Sequence, residues 1–121
     1  MPWYDYRMKT LLISGGKTPL PDAVRNVITR GSTSLDERRP ADVDAAASLA
    51  DADRIVFWSS GDEATRALAI RCAGVERREG REAIVFITTD AGETVTGLSE
   101  AEHFLWPRDE DRLVMAFMTG A

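Results

Sequence analysis

The sequence holds one cysteine, Cys72, and one histidine, His103. A lone cysteine cannot close an internal disulfide, and no Cys/His spacing points to a zinc site. Tyrosine is confined to Tyr4 and Tyr6, and no lysine follows Lys17. No apolar run approaches membrane-spanning length, and the amino terminus lacks the pattern of a signal peptide. The expectation is a cytoplasmic chain with no membrane partner. A basic stripe is missing too: the net charge is −5, and Arg38-Arg39 and Arg77-Arg78 adjoin acidic residues. Nucleic acid is therefore not an expected partner.

What is present fits one domain. A chain of 121 residues with 44% hydrophobic side chains can bury a core without staples. Residues 1–8, which include Trp3, Tyr4 and Tyr6, read as an aromatic N-terminal arm. Leu11-Leu12-Ile13 is a continuous apolar run, as in a strand covered on both faces. Gly15-Gly16 ends that strand, Pro21 suits an early helical position, and Leu20, Val24, Val27 and Ile28 share a helical face. Gly31 is placed to stop the helix.

Ser32 to Leu35 reads as a short, weak strand and Asp36 to Pro40 as a charged loop. Asp42 can cap an alanine-rich helix carrying Val43, Ala46, Ala47 and Ala50. Arg54-Ile55-Val56-Phe57-Trp58 is a buried strand, and Ser59-Ser60-Gly61 a tight turn. The next helix is expected to bury Ala64, Leu68, Ala69 and Cys72, which makes Cys72 an inert buried thiol. Ala83 to Ile87 is another strand, and Gly92 and Gly97 mark a loop. Ser99-Glu100-Ala101-Glu102 has capping-box spacing, so a short surface helix is expected to run to Leu105 with His103 solvated on it. Leu113 to Met118 reads as the last strand.

Alternation of this kind implies an α/β fold: a Rossmann-like or flavodoxin-like three-layer sandwich, with a five-stranded parallel sheet of order 2-1-3-4-5. In this reading the final helix is missing. A bare sheet face would then need cover from the segment Pro2 to Tyr6 or from a second subunit, so a homodimer is expected.

Ligands of such sheets bind beyond the carboxyl ends of the strands, at the switch point. The candidate binding residues are Ser14, Gly15, Gly16, Lys17, Ser59 and Ser60, a set suited to a small anionic ligand. Trp58 and Trp106 either line the mouth of the fold or pack in its core. No catalytic residue, metal ligand or particular cofactor is indicated.

The run Ser14-Gly15-Gly16-Lys17-Thr18-Pro19-Leu20-Pro21-Asp22-Ala23-Val24 resembles the T-G-G-x-x-G-I-G-x-A-I nucleotide loop of extended and atypical short-chain dehydrogenases/reductases. Asp51-Ala52-Asp53-Arg54-Ile55-Val56 is similar to that family's entry into a strand, and Thr65–Gly74 with Ala83–Thr89 to its later helix and strand. Pro19 and Pro21 replace the second and third glycines, which removes the backbone approach and an N–H that pyrophosphate would use. The family's Tyr-x-x-x-Lys pair is absent, so its reductase chemistry is not expected.

The size and element order also resemble response-regulator receiver domains. The resemblance implies an acidic pair after strand 1, an acceptor Asp ending strand 3, a Thr or Ser ending strand 4 and a Lys ending strand 5. Here Ser14-Gly15 replaces the acids, Ser59 or Ser60 replaces the acceptor, Thr88 fits, and the lysine is missing. Gly16-Lys17-Thr18 looks like the end of a P-loop, but the loop's first glycine falls on Leu11.

The expected function is a non-catalytic module acting by protein interaction or self-association, with ligand sensing. The alternatives are a nucleotide- or phosphate-binding protein using the strand 1 loop, and a phosphorylation-independent pseudo-receiver.

Overall fold

A computed structural model describes residues 8–15, 18–44, 51–74 and 83–118. Gly16, Lys17, residues 1–7 of the expected arm and residues 45–50 of the expected alanine-rich helix lie outside the described residues.

The strands are β1 (Lys9–Ser14), β2 (Ser34–Arg38), β3 (Arg54–Ser59), β4 (Ala83–Thr88) and β5 (His103–Leu105). The described helices are α1 (Asp22–Arg30), α2 (Glu63–Gly74) and α3 (Glu110–Met118), with 3-10 turns at Pro40–Asp42 and Glu100–Glu102. All strand pairs are parallel and the order is β2-β1-β3-β4-β5. This is the expected Rossmann-like or flavodoxin-like arrangement.

Strand alternation sorts the core into two layers. Leu11, Ile13, Ile55, Phe57, Ile84 and Phe86 face Leu68, Ala69 and Cys72 of α2, joined by Val95. Leu12, Val56, Trp58, Val85, Ile87 and Phe104 face Val24 and Ile28 of α1 and Leu113 and Phe117 of α3. Burial on both faces explains why the strands read as unbroken apolar runs. Each such large side chain contributes about 1.5–3 kcal/mol by leaving water.

The C-terminal elements differ from the sequence expectation. Leu113 to Met118 is not a strand but lies within α3, and β5 is the three-residue segment before it. Six apolar residues in a row fit either period. The burial decides: Leu113 and Phe117, four apart, are buried, whereas Met115 is 60% and Met118 75% exposed. Glu110 and Asp111 in the first turn favour a helix start. The capping box at Ser99 and Glu102 exists, but it closes only one 3-10 turn. The final helix is thus present and covers the α1 face, so the bare face that motivated a homodimer is not there.

Smaller differences have equally local causes. The charged residues Asp36, Glu37 and Arg38 belong to β2, an edge strand whose exposed side chains tolerate charge. In α2 Thr65 is buried and Ala64 exposed, because the Thr65 hydroxyl donates to the Asp62 carboxylate before the helix. Gly31 ends α1 with φ −87°, outside the left-handed region. Its reason is packing: a Cβ there would stand 2.9 Å from Phe117 Cδ1 and 3.0 Å from the Phe117 carbonyl oxygen.

Arg54 opens β3 at that end of the sheet and is 5% exposed. Its Nη1 donates to the Gly31 carbonyl at 3.4 Å, and its guanidinium lies 4.3 Å from the Phe117 ring centroid. It sits between the C-terminal ends of α1 and α3, where the helix dipoles favour a cation. Burial still lowers its pKa from the ordinary arginine value. No described helix is long and apolar enough to cross a membrane.

Candidate functional site

The opposite end of the sheet is built differently. Ser59 closes β3 and Thr88 closes β4, and the two are register partners. Both are fully buried and follow the alternation that faces α2. The loop after β4 then folds one acidic side chain back over them. Glu93 is 3% exposed. Its Oε2 accepts from Ser59 Oγ at 2.9 Å, and its Oε1 accepts from Thr88 Oγ1 at 2.5 Å and from the Gly61 N–H at 3.3 Å. The φ of +77° at Gly61 is a conformation that favours glycine.

Both hydroxyls are used twice. Ser59 Oγ also accepts from the Asp62 N–H at 3.2 Å, and Thr88 Oγ1 from the Asp90 N–H at 3.0 Å. The carboxylate is further fixed through its own backbone. The Glu93 N–H donates to the Asp90 carbonyl at 3.0 Å, and His103 Nε2 donates to the Glu93 carbonyl at 3.0 Å. A carbonyl only accepts, so His103 carries its proton on Nε2. The imidazole stacks on Phe86 with centroids 5.5 Å apart. His103 therefore stands on β5, half-buried and bonded, rather than solvated on a surface helix.

A carboxylate on two hydroxyls and a backbone N–H occupies an anion cradle. Ser59 is fully buried, so a carboxylate beside its hydroxyl does not make it a nucleophile for an outside substrate. Among the described residues, no group of three or more His, Cys, Asp or Glu side chains is arranged to hold a metal ion.

The other expected residues are spread around this centre. Ser14 is half-buried at the end of β1 and pairs with Trp58, one residue before Ser59. Gly15 lies against Pro40, and a Cβ there would collide with the proline ring. Ser60 shares a 2.8 Å hydrogen bond with Thr89. Trp58 is core rather than mouth: it is 1% exposed, and its Nε1 donates to the Thr18 carbonyl at 2.9 Å. Trp106 packs half-buried against the α1 and α3 core, and Cys72 is fully buried. Sequence reasoning missed Glu93. The available signal was the pair of hydroxyl residues, Ser59 and Thr88, ending neighbouring apolar strands.

Beside the site, the Asp109 carboxylate accepts from the Leu105 N–H at 2.8 Å and from Arg108 Nη2 at 3.0 Å. The hydrogen bond from Arg108 leads in lowering its pKa to about 2, with the Leu105 N–H and the charges of Arg108 and Arg112 acting in the same direction. Arg112 lies 4.2 Å from the Phe104 ring centroid and donates to the Glu100 and His103 carbonyls. No protein-family model matches the chain, and no characterised protein or solved structure shows significant similarity to it.

Proposed function

We propose that this chain is a non-catalytic Rossmann-like module that acts by protein interaction or self-association, in the manner of a phosphorylation-independent pseudo-receiver. One observation carries the reading: the anion cradle between the ends of β3 and β4 is filled by the chain's own Glu93 carboxylate. In receiver terms, Ser59 stands where the acceptor carboxylate would be, Thr88 keeps the hydroxyl that ends strand 4, and Leu105-Trp106 ends β5 without a lysine. A serine offers no carboxylate to phosphorylate, and the donors are already engaged. This reading puts function at the surface. Met115 and Met118 on α3 and Ile70 on α2 are the large hydrophobic side chains exposed among the described residues.

The alternative is a nucleotide or phosphate ligand at Ser14, Gly15, Gly16 and Lys17. A thermal-shift panel separates the two readings. NAD, NADP, ATP, cyclic nucleotides, inorganic phosphate, and acetyl phosphate with magnesium are expected to leave the melting temperature of the wild-type protein unchanged. A saturable rise that Lys17→Ala removes would overturn the proposal in favour of the nucleotide reading. Sedimentation velocity of the wild type and of Met118→Glu tests self-association: a concentration-dependent dimer weakened by the substitution is the expected result.

A further inference from the structure

We infer that Ser59, Thr88 and the Gly61 N–H form a carboxylate-binding site that the chain holds closed with its own Glu93, so that removing this side chain opens the site to a small external carboxylate. The inference rests on the reading above only in treating the site as filled from within.

Three features of the site carry it. The donors converge without help from the acid itself. Ser59 and Thr88 are fixed by strand register, and Gly61 by a tight turn directly after β3. The donor set suits a planar carboxylate, with Oε1 taking two donors and Oε2 taking one. The walls are fixed too, since the backbone N–H groups of Asp62 and Asp90 hold the two hydroxyl oxygens from behind.

The charge of the site narrows the ligand class. The Asp62 carboxylate, bonded to Thr65, and the Asp90 carboxylate, which accepts from the Gly92 N–H at 2.9 Å, flank the turn. A Cβ on Gly61 would lie 3.6 Å from Asp90 Oδ2, which shows how near that acid stands. Two further acids disfavour a multiply charged phosphate and leave a monovalent carboxylate as the fitting occupant. For a ligand of three heavy atoms, affinity is at best about millimolar.

The experiment titrates formate and acetate into wild type, Glu93→Ala, and the double variant Glu93→Ala/Thr88→Val. Chloride at matched ionic strength is the control. The readouts are melting temperature and the backbone amide resonances of Gly61 and residue 88. Glu93→Ala is expected to melt below wild type, to gain stability saturably with formate, and to show the Gly61 resonance moving on the same binding curve. Wild type is expected to respond to formate no more than to chloride. The double variant is expected to lose the saturable response at least about tenfold in affinity, since one of the three donors is gone. A folded Glu93→Ala that responds to formate no differently from chloride overturns the inference, as does an equal response in the double variant.

If Glu93→Ala is unfolded in chloride, folding in formate supports the inference. If it stays unfolded in both, Glu93→Ser decides: its short side chain leaves the donors open, so formate must move the Gly61 resonance saturably, and a static resonance, or a variant that formate cannot fold, overturns the inference. A nucleotide bound by wild type would break the functional proposal alone, whereas a silent titration of the Glu93 variants would break this inference alone.

Discussion

Two charged side chains are buried at opposite ends of the sheet, and they are held in opposite ways. Glu93 at the carboxyl end is met by three donors aimed at its two oxygens. Arg54 at the amino end has one long bond to the Gly31 carbonyl and a stacked contact with Phe117. The first is a site shaped around a particular chemical group. The second is a packing joint between the ends of α1 and α3 that happens to contain a cation. A charge held mainly by packing and dipoles can be exchanged for an apolar side chain of similar shape, because only the long bond to the Gly31 carbonyl is lost. A charge held by dedicated donors cannot, because the Ser59 and Thr88 hydroxyls are then buried without that acceptor.

The largest effect should come from Glu93→Ala. Orphaning the two buried hydroxyls of Ser59 and Thr88, together with the exposed N–H of Gly61, is expected to cost about 3 kcal/mol in urea unfolding. Glu93→Gln, which keeps the shape and one acceptor oxygen, should cost roughly half as much. A loss under about 1 kcal/mol for the alanine variant would mean that water satisfies the donors, and the contrast between the two ends would fail.

Arg54 comes next. Arg54→Ala opens a void beneath Phe117 and is expected to cost about 2 kcal/mol. Arg54→Met fills the same channel without a charge and should stay within about 1 kcal/mol of wild type. If methionine costs as much as alanine, the cation itself is required at this end as well. Gly31→Ala probes the same joint through sterics alone. The new Cβ meets the Phe117 side chain and carbonyl, so α3 must shift, at about 1–2 kcal/mol. Hydrogen exchange should then rise in α3 and leave Gly61 and Thr88 unchanged.

The same contrast explains what the sequence disclosed. The order of the sheet was legible because Leu11-Leu12-Ile13, Ile55–Trp58 and Ile84–Ile87 are unbroken apolar runs between glycine turns and amphipathic stretches. The end of the chain was not. Leu113 to Met118 is as apolar as a strand, and only the tertiary burial of Leu113 and Phe117 reveals the helical period. Gly31 was legible as a stop, but its cause lies in Phe117, far away in the chain. At the site, local sequence draws attention to Gly15-Gly16-Lys17, where glycines cluster. Glu93 sits in an ordinary loop, and nothing in its neighbours marks it as buried. Its partners Ser59 and Thr88 come from two other segments, so the site exists only once the β3–β4 register has formed.

The smallest effect concerns how the carboxyl end responds to acid. Asp109 anchors the start of α3 to β5, and Arg112 one turn later bonds the carbonyl of His103, whose imidazole holds the Glu93 backbone. The folded-state pKa of Asp109 is lowered from 3.8 to about 2, with the Arg108 hydrogen bond as the leading cause. A depressed carboxylate pKa stabilises the fold at pH values above the ordinary value, and that stability is lost as pH falls through the folded value. Asp109→Asn should therefore be less stable than wild type near neutrality by about 1 kcal/mol, because Arg108 is exposed and solvent screens the pair. The difference should hold down to about pH 4 and close toward pH 2. Over the same window, amide exchange in wild type should rise at Leu105 before it rises at Arg54, whose contacts among the described residues are the Gly31 carbonyl and the Phe117 ring. Simultaneous loosening at both ends would mean that the two buried charges share one cooperative unit.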